Sequence, residues 1–140
     1  MKNIYEVFDE FEEAKSKKDR LAVIERNLSK TLVEVLQYTF HPAYQWKIKE
    51  MPDNYKTPDI PPGLSRCQLS TEIRKLYLFQ EGHPSSANLT DRKQNELLIQ
   101  LIESLEPREA EVVIGIFKKD QGVRGLDYKF VKEAFPNLLP

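Results

Sequence analysis

Cysteine is nearly missing from this chain: Cys67 is the only one in 140 residues. No disulfide can close within one copy, and a reducing compartment is the expected setting. Histidine is almost as scarce, and His41 and His83 with a lone cysteine give no zinc-ligand spacing. No apolar run approaches the roughly 18 residues that a membrane span needs. The opening, MKNIYEVFDEFEE, turns acidic after one lysine and has no apolar core, so it does not read as a signal peptide. A large excess of charge is missing too. The formal net charge is −1, so no global field draws the molecule to an anionic surface, and any anion binding must come from a local patch. Neither standard Gly-rich phosphate loop occurs. No stretch alternates apolar and polar residues with period two, and no internal repeat is visible.

What is present is helical spacing. Ile4, Val7, Phe8, Phe11 and Ala14 form one stripe, with Glu6, Glu10, Glu12 and Glu13 outside it. Ser16 is placed to cap a second helix carrying Leu21, Ile24 and Leu28. A third starts at Ser29, carries Leu32, Val33 and Leu36, and ends at Phe40, because the residue before Pro42 avoids the helical region. Then MPDNYKTPDIPPG brings four prolines in thirteen residues, which predicts a long extended loop pinned by Tyr55 and Ile60. Leu69, Ile73, Leu76 and Tyr77 restore the helical pattern. EGHPSSAN reads as a second loop. Thr90 caps a helix with Leu97, Leu98, Leu101, Ile102 and Leu105, and Pro107 suits the first turn of the next, with Ala110, Val113, Ile114 and Phe117. Gly122 and Gly125 break it, and a last helix from about Asp127 to Phe135 buries Phe130, Val131 and Ala134. The expected fold is all-α: a compact bundle of about six or seven short helices with a long proline-rich loop. At this length it is one domain over 1–140, with N-terminal helices over 1–51, the loop over 52–65 and C-terminal helices over 66–140.

Catalysis needs a nucleophile with a base in reach, a carboxylate pair or a metal, and candidates are few. His41 and His83 both precede proline in unrelated loops. Cys67 reads first as a small buried hydrophobe. Asp9, Glu10, Glu12 and Glu13 read as a solvated helix face. Tyr38, Phe40, Tyr44 and Trp46 could stack on bases, but their spacing beside Leu36 suits a core. The expectation is no enzyme, no cofactor and no metal. The closing FPNLLP is either a docking peptide or a tail packed on the bundle.

Cations are the better signal. Lys15, Lys17, Lys18 and Arg20 face only Asp19 within their stretch. Lys118, Lys119, Arg124, Lys129 and Lys132 face Asp120 and Asp127, so each cluster carries a net charge of +3. Backbone amides around Gly122 and Gly125, with the start of the last helix, would add an anion nest. Such an arrangement holds phosphates without regard to sequence. On spacing alone, a solvated face and a glycine turn remain the plainer account.

Two stretches add a resemblance. SKKDRLAVIERNLSKTLVEVLQYTFHPAYQWKIKEMP resembles the start of the helical N-terminal domain of ATP-dependent DNA ligases of the phage type, through Lys17, Lys18, Leu32, Val35, Leu36, Tyr38, Thr39, Phe40, Pro42, Ile48, Lys49 and Pro52. KDQGVRGLDYKFVKEAFPNLLP resembles its end, through Asp120, Gly122, Val131, Phe135, Pro136, Leu138 and Leu139, with Gln121 in place of the usual leucine. Over the whole chain, strings such as SKKDR, EIRKLYLF and QLIESL look like a family of small uncharacterised proteins from T-even-like tailed bacteriophages, those of cyanobacteria above all. The ligase likeness implies a domain that holds duplex DNA while other domains do the chemistry. The K-x-D-G nucleophile motif is missing, since KKDQG has its glycine one place late. The resemblance therefore implies a stand-alone DNA-binding accessory protein in the cytoplasm of an infected host. A module for a phage or host protein is the competing expectation, and a small enzyme using Cys67 or a carboxylate is the third.

Overall fold

The computed structural model describes residues 3–48 and 67–140. The proline-rich stretch, with its expected anchors Tyr55 and Ile60, lies outside the described residues. Eight α-helices and one 3₁₀ helix are present among the described residues: α1 Ile4–Glu13, α2 Lys17–Arg26, α3 Lys30–Phe40, α4 Leu69–Glu72 leading into the 3₁₀ segment Ile73–Phe79, α5 Pro84–Ala87, α6 Asp91–Ser104, α7 Pro107–Lys118 and α8 Tyr128–Ala134. The only pairing of extended chain among them is a single antiparallel bridge between Trp46 and Gln80.

Local chemistry sets most of the helix starts. Ser16, Ser29, Thr90 and Asp127 each accept a hydrogen bond from the backbone N–H three residues on, at 3.1, 3.1, 3.1 and 2.9 Å. Pro107 opens α7, where its missing N–H has no partner to lose. At the other end of α3, His41 turns extended ahead of Pro42.

The helices bury their apolar stripes in one shared core. Val7, Phe11, Ile24, Leu32, Leu36, Leu98, Ile102, Val113 and Ile116 are all essentially inaccessible. α7 is the element most enclosed by the others, packing against α1, α3 and α6. The aromatic stretch belongs to this core as well. Trp46 is buried, with ring centroids 5.7 Å from Tyr38 and 5.4 Å from Phe117, both edge-on. Its face is thus covered by protein and is not open to a base.

Three expectations change. The stretch from Leu69 does not continue as one α-helix. Its buried residues Ile73, Leu76 and Phe79 recur every third position, which matches the three residues per turn of a 3₁₀ helix. Tyr77, which α spacing would have put inside, is 42% exposed. EGHPSSAN is not all loop, because Pro84–Ala87 forms one helical turn. His83 Nδ1 accepts from the Ser85 N–H at 3.1 Å, and the Ser86 hydroxyl donates to the carbonyls of Gln80 and His83. These two changes raise the helix count above the six or seven expected. Leu28 falls past the end of α2, so helical spacing no longer governs it, and it is 53% exposed while Val23 takes the inner position. Leu28→Ser should therefore leave the unfolding free energy within about 0.5 kcal/mol of wild type by urea titration.

Candidate functional site

Two cation clusters more than a hundred residues apart in sequence meet in the fold. Lys17, at the start of α2, makes an ion pair with Glu133 on α8. That ammonium, through its hydrogen bond first, holds the Glu133 carboxyl below the usual carboxylate range. Arg20, one turn further along α2, lies against the turn before α8: a Cβ added to Gly125 would sit 2.6 Å from Arg20 Nη1. Gly125 has φ +84°, a left-handed conformation that glycine adopts freely. The stretch 15–20 and the stretch 124–133 are therefore one surface.

The underlying scaffold is pinned from the other side of α1. Arg108 on α7 donates two hydrogen bonds of 2.7 Å to the Asp9 carboxylate, one to each oxygen. Its guanidinium also lies 4.8 Å over the Tyr5 ring, and the Tyr5 hydroxyl donates to the buried Glu106 at 2.7 Å. The Arg108 bonds hold the Asp9 carboxyl below its usual range. Glu10 binds Arg26 of α2. The acidic face of α1 is in this way partly structural.

Not all eleven candidate residues remain available to a ligand. Lys119 is turned inward. Its ammonium donates to the backbone carbonyls of Tyr38, His41 and Tyr44 at 3.2, 2.9 and 2.8 Å. It closes the C-terminal end of α3, where the helix leaves carbonyls without partners and carries partial negative charge. Burial pulls its pKa down to about 8. Lys132 donates to the carbonyls of Pro136 and Leu139 at 3.1 and 2.8 Å, so it ties the chain's last residues to α8. The Tyr128 hydroxyl donates to the Pro140 carbonyl, and Leu139 is buried. FPNLLP is thus a tail packed on the bundle.

At Gly122 the expected anion nest is closed by the chain's own carboxylates. The Gly122 N–H donates to Asp120 Oδ1 at 2.9 Å, and the Asp127 side chain occupies the start of α8. An anion near Gly122 would face these two acids, so the backbone contribution anticipated there is withdrawn. Lys15, Lys18, Arg124 and Lys129 are exposed and have no hydrogen-bond or ion-pair partner among the described residues. Lys118 is likewise exposed, at the end of α7, but no contact links it to the α2–α8 face. Arg20 is partly buried, 5.8 Å over the Phe11 ring.

Sequence reasoning gave no role to Gln121. Its amide donates to Thr39 Oγ1 at 3.0 Å and to the Val112 carbonyl at 3.1 Å, bridging α3 and α7. It lies so close to α7 that a Cβ on Gly115 would meet Gln121 Oε1 at 2.5 Å. Nothing local in the sequence shows what Gln121 bonds to, because neither partner is a near neighbour along the chain.

Elsewhere, a groove of about 550 Å³ lies between the 3₁₀ segment and α6, lined by Cys67, Leu78, Phe79, Leu97 and Leu101 with the ion-paired Glu72 and Lys75. The Cys67 N–H donates to the Ser104 carbonyl at 2.9 Å. Burial pushes the Glu109 carboxyl up, although it accepts from the Leu69 N–H at 3.3 Å. His41 and His83 each accept a backbone N–H through Nδ1. Among the described residues no group of three or more His, Cys, Asp or Glu is arranged to hold a metal ion. No helix among them is long and apolar enough to cross a membrane.

A family model matches residues 7–123, and its description reads family of unknown function (DUF6433). The curated proteins contain no match to this chain.

Proposed function

The chain belongs to that family of unknown function, and from its own surface we propose that it binds the phosphate backbone of duplex or nicked DNA without sequence preference, as a non-enzymatic accessory protein of a bacteriophage. The observation that carries the reading is the union of the two cation clusters through Arg20–Gly125 and Lys17–Glu133. It leaves Lys15, Lys18, Arg124 and Lys129 exposed and without a hydrogen bond or close ion pair among the described residues, in the two stretches that these contacts join. Mobile ammonium and guanidinium groups of this kind suit phosphates, which are spaced regularly and carry no sequence information. The likeness to the ligase N-terminal domain supports the same reading, because both of its matching stretches contribute to this face. It also supports the phage setting, and with it the cytoplasm of an infected host.

The competing reading is a module that binds a phage or host protein, with FPNLLP as its docking peptide. The C-terminal tail is bonded back onto α8 through Lys132 and Tyr128.

Fluorescence anisotropy with labelled duplex, nicked duplex and single strand separates the two. With about four phosphate contacts, the log–log slope of affinity against salt should be near −3 to −4 for a duplex. The double variant Lys18→Glu, Lys129→Glu should weaken duplex binding by at least about tenfold at low salt with an unchanged melting temperature, since both side chains are exposed. Wild-type protein that ignores every DNA at low salt would overturn the reading and direct the search to a protein partner.

A further inference from the structure

Arg20 differs from the ion-pairing arginines of this fold. Arg26, Arg92 and Arg108 each meet a carboxylate. Arg20 has no hydrogen-bond or ion-pair partner among the described residues, and its Nε is buried without an acceptor. Yet it is not a loose surface side chain. Its guanidinium lies over Phe11, which is fully buried and held edge-on by Phe130 with ring centroids 5.1 Å apart. On another side it presses on the Gly125 backbone, where any Cβ would collide with Nη1. The Gly125 N–H, in the same turn, makes no hydrogen bond among the described residues.

A partly desolvated cation is unfavourable; Nε is enclosed by protein, but the terminal nitrogens of the same guanidinium are not, and an oxyanion that meets them offsets part of that cost. The planar fork of a guanidinium offers two parallel N–H donors, a geometry suited to phosphate. Arg124 and Lys129 flank the Gly125 turn and outnumber Asp127, whose carboxylate is held at the start of α8 by the Phe130 N–H, which favours an ion of more than one charge over a simple carboxylate.

We propose that Arg20 and the Gly125 turn form a discrete notch that takes one phosphate group. This rests on the proposed DNA reading for the source of that phosphate: the backbone group seated at Arg20 sets the register, while the exposed lysines add affinity that any position along the strand could supply. The arginine is a binding group of fixed orientation, so lysine, with equal charge and no fork, cannot replace it.

The test uses the full chain and the Arg20→Lys variant. Inorganic phosphate is titrated against acetate at matched ionic strength, following the arginine Nε–H resonances by NMR, and duplex affinity is measured in parallel. In wild type, one Nε–H resonance should move saturably with phosphate and not with acetate, and it should be the resonance absent from Arg20→Lys. That variant should keep its melting temperature and salt slope and lose about tenfold in duplex affinity. If Arg20→Lys binds duplex as wild type does, or if the Arg20 resonance does not move, the notch is refuted and a diffuse cation face remains. If the resonance moves with phosphate but neither protein binds duplex, the notch stands and the DNA reading falls.

Discussion

Phe11→Ala should destabilise the protein by about 4 kcal/mol, the range expected when a large aromatic is removed from a core that cannot collapse around the gap. Phe11 has no exposed surface, and its ring packs edge-on against Phe130 of α8 at 5.1 Å. Removing it opens a void between α1 and α8. For a chain of this size the melting temperature should fall by more than about 10 °C, read by calorimetry. The same change removes the platform under Arg20, so duplex binding should weaken even at temperatures where the variant is folded. Phe11→Leu separates the two effects. It restores most of the volume at a cost of about 1.5 kcal/mol but supplies no ring for the guanidinium. Normal duplex affinity in Phe11→Leu would mean that the ring does not position Arg20.

The second large effect is expected at Lys119. Lys119→Met keeps the length of the side chain and loses three hydrogen bonds to the carbonyls of Tyr38, His41 and Tyr44. These carbonyls line the exit of α3 and the turn after it; the His41 carbonyl keeps the Tyr44 N–H, and without the ammonium those of Tyr38 and Tyr44 are left short of donors. A loss of about 3 kcal/mol is expected from urea denaturation. Lys119 also adopts φ 60°, an unfavourable value for a residue with a side chain. Lys119→Gly relieves that strain by about 1 kcal/mol and should therefore fall between wild type and Lys119→Met. The pH dependence has a definite sign. Burial lowers the folded-state pKa to about 8 from the ordinary 10.5 of the unfolded chain. Between those values the unfolded chain holds a proton that the folded chain has released, so stability through this residue rises with pH. The advantage of wild type over Lys119→Met should widen as pH is raised through that window. A gap that narrows would mean that the three carbonyls outweigh burial and retain the proton.

Much of the fold was legible without coordinates, because its determinants are local. Ser16, Ser29, Thr90 and Asp127 cap the helices they precede by bonding an N–H three residues away. Pro42 stops α3 and Pro107 starts α7 through their own ring geometry. Apolar residues at helical spacing name their own burial, as Phe11, Ile24, Leu36, Leu98 and Val113 do. The exceptions follow the same logic. Leu28 lies past the last turn of α2, and the 73–79 stretch has its inward residues at a spacing of three.

The site was legible only as a list of cations. Charge counts along a chain do not say which carboxylate or carbonyl will lie opposite each cation. Lys119 and Lys129 look alike in sequence, yet one closes α3 from more than seventy residues away and the other stands in water. Gly122 looked like an open amide until Asp120 turned back onto it. Among the described residues Arg20 meets no carboxylate, and it lies against the Phe11 ring and a glycine that leaves room for it. Helix starts, stops and inward faces were thus determined by the sequence itself, since they depend on neighbours within one turn. The tertiary structure alone decided which charges are engaged, because a charge takes its partner from whatever the packing brings within a few ångströms, however distant along the chain.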